Sequence, residues 1–229
     1  MNKVLSFCLF FIFSGVLLSE SLATDEKVRR SVYLDPLFGG KESGPVVDQT
    51  YQAKVFTLDT AQKLKVSLEV KGIVTYLSRD SDSSIPLEER VTEGKIKRSD
   101  VYIAIGLSKA SRDCISIYYT KQEQATTQNE KGLDAILKKL KKTYITEGSI
   151  KLAETVMRNI KKISVPVCIE IQSKNDYILN KAYCPTAIIN FGVSNSPSPY
   201  ILDSYIMNKI IDAVSVAITE HLEFYTVSR

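Results

Sequence analysis

The chain alternates short apolar runs with longer stretches in which apolar residues return every third or fourth position. Residues 31–34 (Ser-Val-Tyr-Leu) have the length of a buried strand, closed by Asp35-Pro36 and the Gly39-Gly40 pair. Between 51 and 70, Val55, Leu58, Ala61, Leu64 and Leu68 fall at helical spacing, predicting an amphipathic helix that Gly72 ends. Residues 73–77 read as a second strand, and Ser84-Ile85-Pro86 opens a shorter helix over 87–97. Residues 101–107 (Val-Tyr-Ile-Ala-Ile-Gly-Leu) are continuously apolar, as in a strand covered on both faces, and 114–119 read as another strand.

The second half follows the same rhythm. Residues 120–131 are polar and aperiodic, which predicts a loop. A Lys-rich helical segment over 133–142 and a separate helix over 149–161 follow. Strand candidates lie at 165–171, 177–179 and 187–191. Pro197 and Pro199 mark a turn, and a long amphipathic helix runs over 204–224. Strands alternating with helices predict a layered α/β domain with a largely parallel sheet.

The first residues change this picture at one end. Lys3, the apolar run from Val4 to Leu18 and the small residues of Ser21-Leu22-Ala23 have the order of a secretory signal. The run is about fifteen residues, short for a span of roughly twenty, so cleavage is preferred to a retained anchor. The expected division is a signal peptide over 1–23 and one domain over 24–229. No later segment is long and apolar enough to cross a bilayer, so the expected product is soluble and exported, in the periplasm.

Charge adds little. Lys3 and Glu20 cancel, so the net charge of +4 holds with or without the leader. It is too mild, and its basic residues too poorly interleaved with aromatics, to argue for nucleic acid. Lys138, Lys139, Lys141 and Lys142 read as a solvated helix face, with an anion-binding patch as the alternative. Cys114, Cys168 and Cys184 contain no CxxC pair; one disulfide with a spare thiol and three buried thiols are both compatible with the spacing.

Four stretches, in order, resemble the zinc-dependent N-acetylmuramoyl-L-alanine amidases of the AmiA/AmiC type. Residues 32–40 (Val-Tyr-Leu-Asp-Pro-Leu-Phe-Gly-Gly) are similar to the family's Leu-Asp-Pro-Gly-His-Gly-Gly. Thr75-Tyr76-Leu77-Ser78-Arg79-Asp80-Ser81-Asp82, followed by Leu87-Glu88-Glu89-Arg90, resembles Thr-Arg-Asp-Ser-Asp … Leu-Glu-Glu-Arg. Residues 99–106 (Ser-Asp-Val-Tyr-Ile-Ala-Ile-Gly) stand where the family reads Ala-Asp-Leu-Phe-Ile-Ser-Ile-His. Tyr177-Ile178-Leu179, leading into residues 184–195 (Cys-Pro-Thr-Ala-Ile-Ile-Asn-Phe-Gly-Val-Ser-Asn), resembles Tyr-Val-Leu … Pro-Ala-Val-Leu-Val-Glu-Ile-Gly-Phe-Leu-Ser-Asn, one residue short near its end. The resemblance implies one three-layer domain with a mostly parallel central sheet of about six strands flanked by helices.

The family's chemistry needs a zinc held by His, Glu and His, and a second glutamate that moves the proton of the zinc-bound water. Zinc brings that water's pKa near neutrality and polarises the scissile carbonyl. Carried over by position, the histidines fall on Phe38 and Gly106, the ligand glutamate on Ala53 or Gln52, and the catalytic glutamate on Asn190. Phenylalanine and glycine offer no side-chain donor, and an amide has no useful basicity. Glu42 as a stand-in ligand does not replace two histidines. With Asp35, the positions 38, 106 and 190 are the candidate cleft residues, expected to line an apolar surface with extra room beside Gly106.

Other designs are poorer. His221, the single histidine, lies on the terminal helix and reads as packed or solvated. Glu170 reads as the solvent-facing residue of an alternating strand. Arg79, Asp80 and Glu88-Glu89 read as fold-supporting. No Gly-x-Ser-x-Gly elbow and no phosphate-binding glycine motif occurs. The expected role is a non-catalytic amidase relative without zinc, acting on cell-wall remodelling or division by binding peptidoglycan or a division protein. A working amidase and a scaffold that uses another surface are the alternatives.

Overall fold

A computed structural model of the chain describes residues 29–46, 52–120 and 132–226. The expected signal peptide and nearly all of the expected 120–131 loop lie outside the described residues. Six strands form one sheet: β1 (Ser31–Pro36), β2 (Val74–Leu77), β3 (Val101–Lys109), β4 (Cys114–Thr120), β5 (Cys168–Lys174) and β6 (Thr186–Val193). Their order is β2-β1-β3-β6-β4-β5. The first four strands in that order are parallel, and β4 turns antiparallel to β6 while running parallel to β5.

Side-chain alternation along the central strands builds two cores. Val32, Leu34, Val101, Ile103, Ile105, Leu107, Ala187 and Ile189 face one side, under α1 (Ala53–Val70), α3 (Leu133–Lys162) and α5 (Ser204–Thr226). Tyr33, Tyr102, Ala104 and Ile188 face the other, under α2 (Leu87–Ile96) and the single-turn α4 (Tyr177–Asn180). The helices therefore lie on both faces, giving the three layers. On α5, Ile210, Val214, Ile218 and Leu222 recur at helical spacing and are essentially inaccessible to solvent. Each such burial stabilises the fold by about 1.5–3 kcal/mol before entropy is counted.

Four local expectations are corrected. The two expected helices over 133–161 are one 30-residue α3, because Ile145, Thr146, Gly148 and Ser149 are buried and carry the helix through the polar joint. Residues 177–179 are not a strand: the Asp176 side chain accepts the Ile178 N–H and caps a single helical turn. The strand expected over 165–171 is displaced to Cys168–Lys174, set by its register with β4. On α1 the buried stripe runs through Ala53, Phe56, Thr57, Thr60, Ala61, Leu64 and Leu68, and Val55 is exposed. Two threonines hold core positions there that apolar counting assigned elsewhere.

Cys114 and Cys168 face each other in register on β4 and β5 and are joined in a disulfide, with Cα atoms 4.3 Å apart. Cys184 is reduced and buried. Among the described residues no helix is long and apolar enough to cross a membrane.

Candidate functional site

The positions singled out by motif converge on one end of the sheet. Phe38 follows β1, and Gly106 and Asn190 sit opposite each other in the β3–β6 register, past the middle of both strands. Ala53 opens α1, with Gln52 as its cap residue. Gly44 links the two sides of this group: a Cβ built on it meets the Phe38 ring at 2.7 Å and the Ala53 methyl at 2.8 Å. The chain at Gly44 has φ +67°, so the close approach and the left-handed backbone both call for glycine.

The loop after β1 is held by two buried arginines. Arg79 Nε donates to the Pro36 carbonyl at 3.0 Å, and its Nη2 donates to the carbonyls of Leu37 (3.3 Å) and Lys54 (2.7 Å). Burial, and then the neighbouring Arg90 charge, pull the Arg79 pKa below its ordinary value. Arg90 donates to the Pro36 carbonyl at 2.9 Å and to the Phe38 carbonyl at 3.0 Å. Each carbonyl that turns inward at the loop thus meets a guanidinium, which fixes Phe38 in its positive φ of 67°. Lys54 closes the outer edge, bonded to the Gly40 carbonyl and paired with Asp82 at 2.6 Å. Arg79 is fold-supporting, as expected, and Arg90 joins it.

Asp35 is not on the cleft surface. Strand alternation turns it beneath the loop, fully buried, where Arg90 Nη1 (2.7 Å), Ser78 Oγ (2.6 Å) and Tyr102 OH (2.7 Å) all donate to its carboxylate. Burial foremost, and then the Asp35 charge, push the Tyr102 phenol far up, so it remains a donor. A carboxylate with three donors and a guanidinium neighbour anchors structure and does not meet a ligand.

The expected room beside Gly106 is also filled. A Cβ at residue 106 would stand 2.8 Å from Asn190 Oδ1 and 3.4 Å from Leu37 Cδ1. Asn190 in turn donates through Nδ2 to Ser108 Oγ at 2.8 Å. Any side chain at 106 must first displace the amide and break that bond. Ser108 was absent from the motif reading, yet it lies two residues after Gly106 on the same face of β3, which strand periodicity makes legible.

These side chains do not fit a zinc ion. Phe38 and Ala53 present hydrocarbon, Gly106 presents nothing, and Gln52 and Asn190 present neutral amides. Glu42 is exposed, and its backbone bridges Gly39. Elsewhere among the described residues, Cys114, Cys168 and Glu170 bring metal-capable atoms within 4.8 Å, but both sulfurs belong to the disulfide. Glu170 is a partly exposed strand residue paired with Arg112 at 3.1 Å. His221 is buried on α5, where desolvation, with a contribution from the Lys151 charge, lowers its pKa to about 4. It lies in the last turns of α5, a helix that carries none of the positions 38, 53, 106 and 190.

Residues 32–220 match the N-acetylmuramoyl-L-alanine amidase family. The chain belongs to this family. The relatives include N-acetylmuramoyl-L-alanine amidase AmiC of Neisseria meningitidis, 30% identical over 109 residues, covering 46% of this chain and 26% of the relative. The probable cell wall amidase LytH of Staphylococcus saprophyticus is 24% identical over 201 residues, covering 86% of this chain and 58% of the relative. The amidase domain here thus spans a quarter to somewhat over half of those proteins. Among solved structures, the amidase AmiC2 of Nostoc punctiforme superposes with TM-score 0.67 at 18% identity, covering 85% of this chain and 97% of that one. The catalytic domain of CwlV from Bacillus (Paenibacillus) polymyxa gives 0.68 at 18% identity, covering 85% and 98%. The amidase fold, with its six-stranded, mostly parallel sheet between helices, is therefore the fold of this chain.

Proposed function

We propose that this amidase-family domain is non-catalytic and acts in cell-wall remodelling or division by binding peptidoglycan or a cell-wall partner, outside the cytoplasm. The observation that carries the reading is the Gly106–Asn190–Ser108 arrangement. Where the family resemblance puts a ligand histidine and a proton-moving glutamate, an amide fills the histidine's space and is bonded to a hydroxyl. The amide cannot take a proton from water, and among the described residues the family ligand positions, Phe38, Gly106 and Ala53 or Gln52, offer no side chain suited to a zinc ion. The half-buried Phe38 ring offers an aromatic contact for a sugar or peptide. Export rests on the leader-like first residues and the family's cell-wall context.

Metal analysis of the purified protein and a turnover assay on peptidoglycan with a chelator control test this. The expected result is no stoichiometric zinc, no release of stem peptide, and co-sedimentation with insoluble peptidoglycan that Phe38→Ala weakens. Stoichiometric zinc with chelator-sensitive cleavage would overturn it in favour of a working amidase.

A second reading, a scaffold using another surface, has its own support. The first turns of α3 leave Leu133, Ile136, Leu137 and Leu140 exposed at helical spacing. Sedimentation lost on charge reversal of Lys139 and Lys142, but kept in Phe38→Ala, favours this second reading.

A further inference from the structure

At the other end of the sheet, before β3 and β6 begin, a cavity of about 450 Å³ opens between the end of α2 and the exposed part of α3. Ser99 lies two residues before β3 and seven before Gly106, roughly 20 Å away if the chain is extended. Lys95, Arg98 and Lys141 stand at its walls, and no carboxylate lines it. All three cations are exposed and make no ion pair with a described acidic residue. Arg98 is one of three non-glycine residues with positive φ among the described residues, at 53°, in the turn that leaves α2. A left-handed arginine is held there at a cost in backbone strain.

The floor is what distinguishes this cavity from a patch of surface lysines. Ser99 is 3% exposed, and its Oγ has no hydrogen-bond partner of good geometry; the same is true of the buried Tyr183 hydroxyl. The Tyr183 hydroxyl stands against Gly94, where a Cβ would meet it at 2.5 Å, and its near neighbours are the Ser99 hydroxyl and the Cys184 thiol, which reach it only in poor hydrogen-bond geometry. Burial pushes that phenol far up, so it keeps its proton. Both oxygens are closed to solvent, so an acceptor reaches them once the side chains turn towards the cavity, and it then recovers part of the roughly 1–3 kcal/mol that a poorly satisfied buried hydroxyl costs. The Tyr144 side chain adds an aromatic wall.

We propose that this cavity binds a phosphate-bearing ligand, its oxygens taking hydrogen bonds from Ser99 and Tyr183 and its charge met by Lys95, Arg98 and Lys141. Three cations without a lining carboxylate match a multiply charged phosphate or diphosphate better than a singly charged carboxylate. The volume exceeds one phosphate group, so the group is carried on a larger body, with Tyr144 flanking it. Of the four lysines near the start of α3, this assigns Lys141 to a ligand and leaves Lys138, Lys139 and Lys142 outside the site.

Calorimetric titration of the purified protein with inorganic pyrophosphate, inorganic phosphate and acetate, at constant ionic strength, tests the assignment. Pyrophosphate is expected to bind saturably at one site, more tightly than phosphate, with acetate weakest. Arg98→Ala with Lys141→Ala is expected to weaken binding at least tenfold. Tyr183→Phe and Ser99→Ala, which change no charge, are each expected to weaken it several-fold, with urea midpoints confirming that the variants fold. Absence of saturable binding at millimolar pyrophosphate overturns the proposal. So does binding that is indifferent to Tyr183→Phe and Ser99→Ala, because loose surface attraction does not sense a hydroxyl. Vesicles containing phosphatidic acid separate two sources of the same chemistry. Vesicle binding that pyrophosphate displaces supports a lipid headgroup; pyrophosphate binding without vesicle binding supports a soluble phosphoester.

Discussion

The two ends of the central sheet treat polar groups in opposite ways. At the end carrying Phe38, Gly106 and Asn190, polar groups find partners within the protein: Asn190 with Ser108, Asp35 with Arg90, Ser78 and Tyr102, and the loop carbonyls with Arg79 and Arg90. At the end carrying Ser99 and Tyr183, the buried hydroxyls have only each other and the Cys184 thiol, in poor geometry, and three cations line the cavity without a carboxylate. A closed network stabilises the fold and leaves little for a ligand to gain. An open one lowers stability and leaves free energy for binding. The end that family resemblance marks as the site is the closed one.

Breaking the closed end has the largest expected effect. Arg90→Leu strands the fully buried Asp35 carboxylate and releases the Pro36 and Phe38 carbonyls, so urea denaturation should show a loss of about 3–5 kcal/mol. A loss below about 1 kcal/mol means that this end is not the anchored one.

Acid comes next, and it must be understood before any pH effect at the open end is interpreted. His221 is kept neutral in the fold, with a pKa of about 4 against an ordinary 6.5. The unfolded chain takes up the proton first, so stability is full above the ordinary value and falls as pH drops through it towards the folded value. The expected loss by pH 4 is about 3 kcal/mol, and His221→Gln should remove most of that slope in denaturation curves taken at stepped pH. An unchanged slope would assign acid sensitivity to the carboxylates instead.

A smaller effect tests how tightly the space beside Gly106 is filled. Gly106→Ala should cost about 1 kcal/mol through the Asn190 amide. In an Asn190→Ala background the same change should cost close to nothing, so a double-mutant cycle reads the contact directly. Additive values mean that the cleft has room after all. The smallest effect belongs to the open end: Tyr183→Phe removes a hydroxyl without a good partner, and should leave the urea midpoint of the free protein unchanged or slightly raised. A loss above about 1 kcal/mol shows that the hydroxyl is already bonded, and that the two ends differ less than argued.

Apolar runs made much of the fold legible in advance. Residues 31–34 and 101–107 predicted their strands because short apolar runs of that length fit strands covered on both faces, and both runs are buried throughout. Tyr177-Ile178-Leu179 was too short a run for periodicity to decide, and Asp176 as a cap turned it into a helix. The join in α3 was hidden because a Lys-Lys-Thr-Tyr stretch looks like a break until Ile145 and Ser149 are seen to be buried. Phe38, Gly106 and Asn190 were legible as positions because they sit inside motifs. The filling of the space beside Gly106 by Asn190 and Leu37, and the bond that holds Asn190 to Ser108, were not, since they depend on which strands become neighbours.

The sequence alone thus determined the α/β class, the resemblance to the amidases, and the residue types at the positions that the resemblance assigns to zinc and its general base, Phe38, Gly106, Ala53 or Gln52, and Asn190, because donor chemistry is a property of residue type. Tertiary structure decided that Asp35 is an anchor, that Cys114 pairs with Cys168, and that Asn190 closes the space at Gly106. It also brought Lys95, Arg98, Ser99, Lys141 and Tyr183 around one cavity. These residues come from three segments with no shared motif, and only the packing of α2 and α3 against the strand starts makes them neighbours.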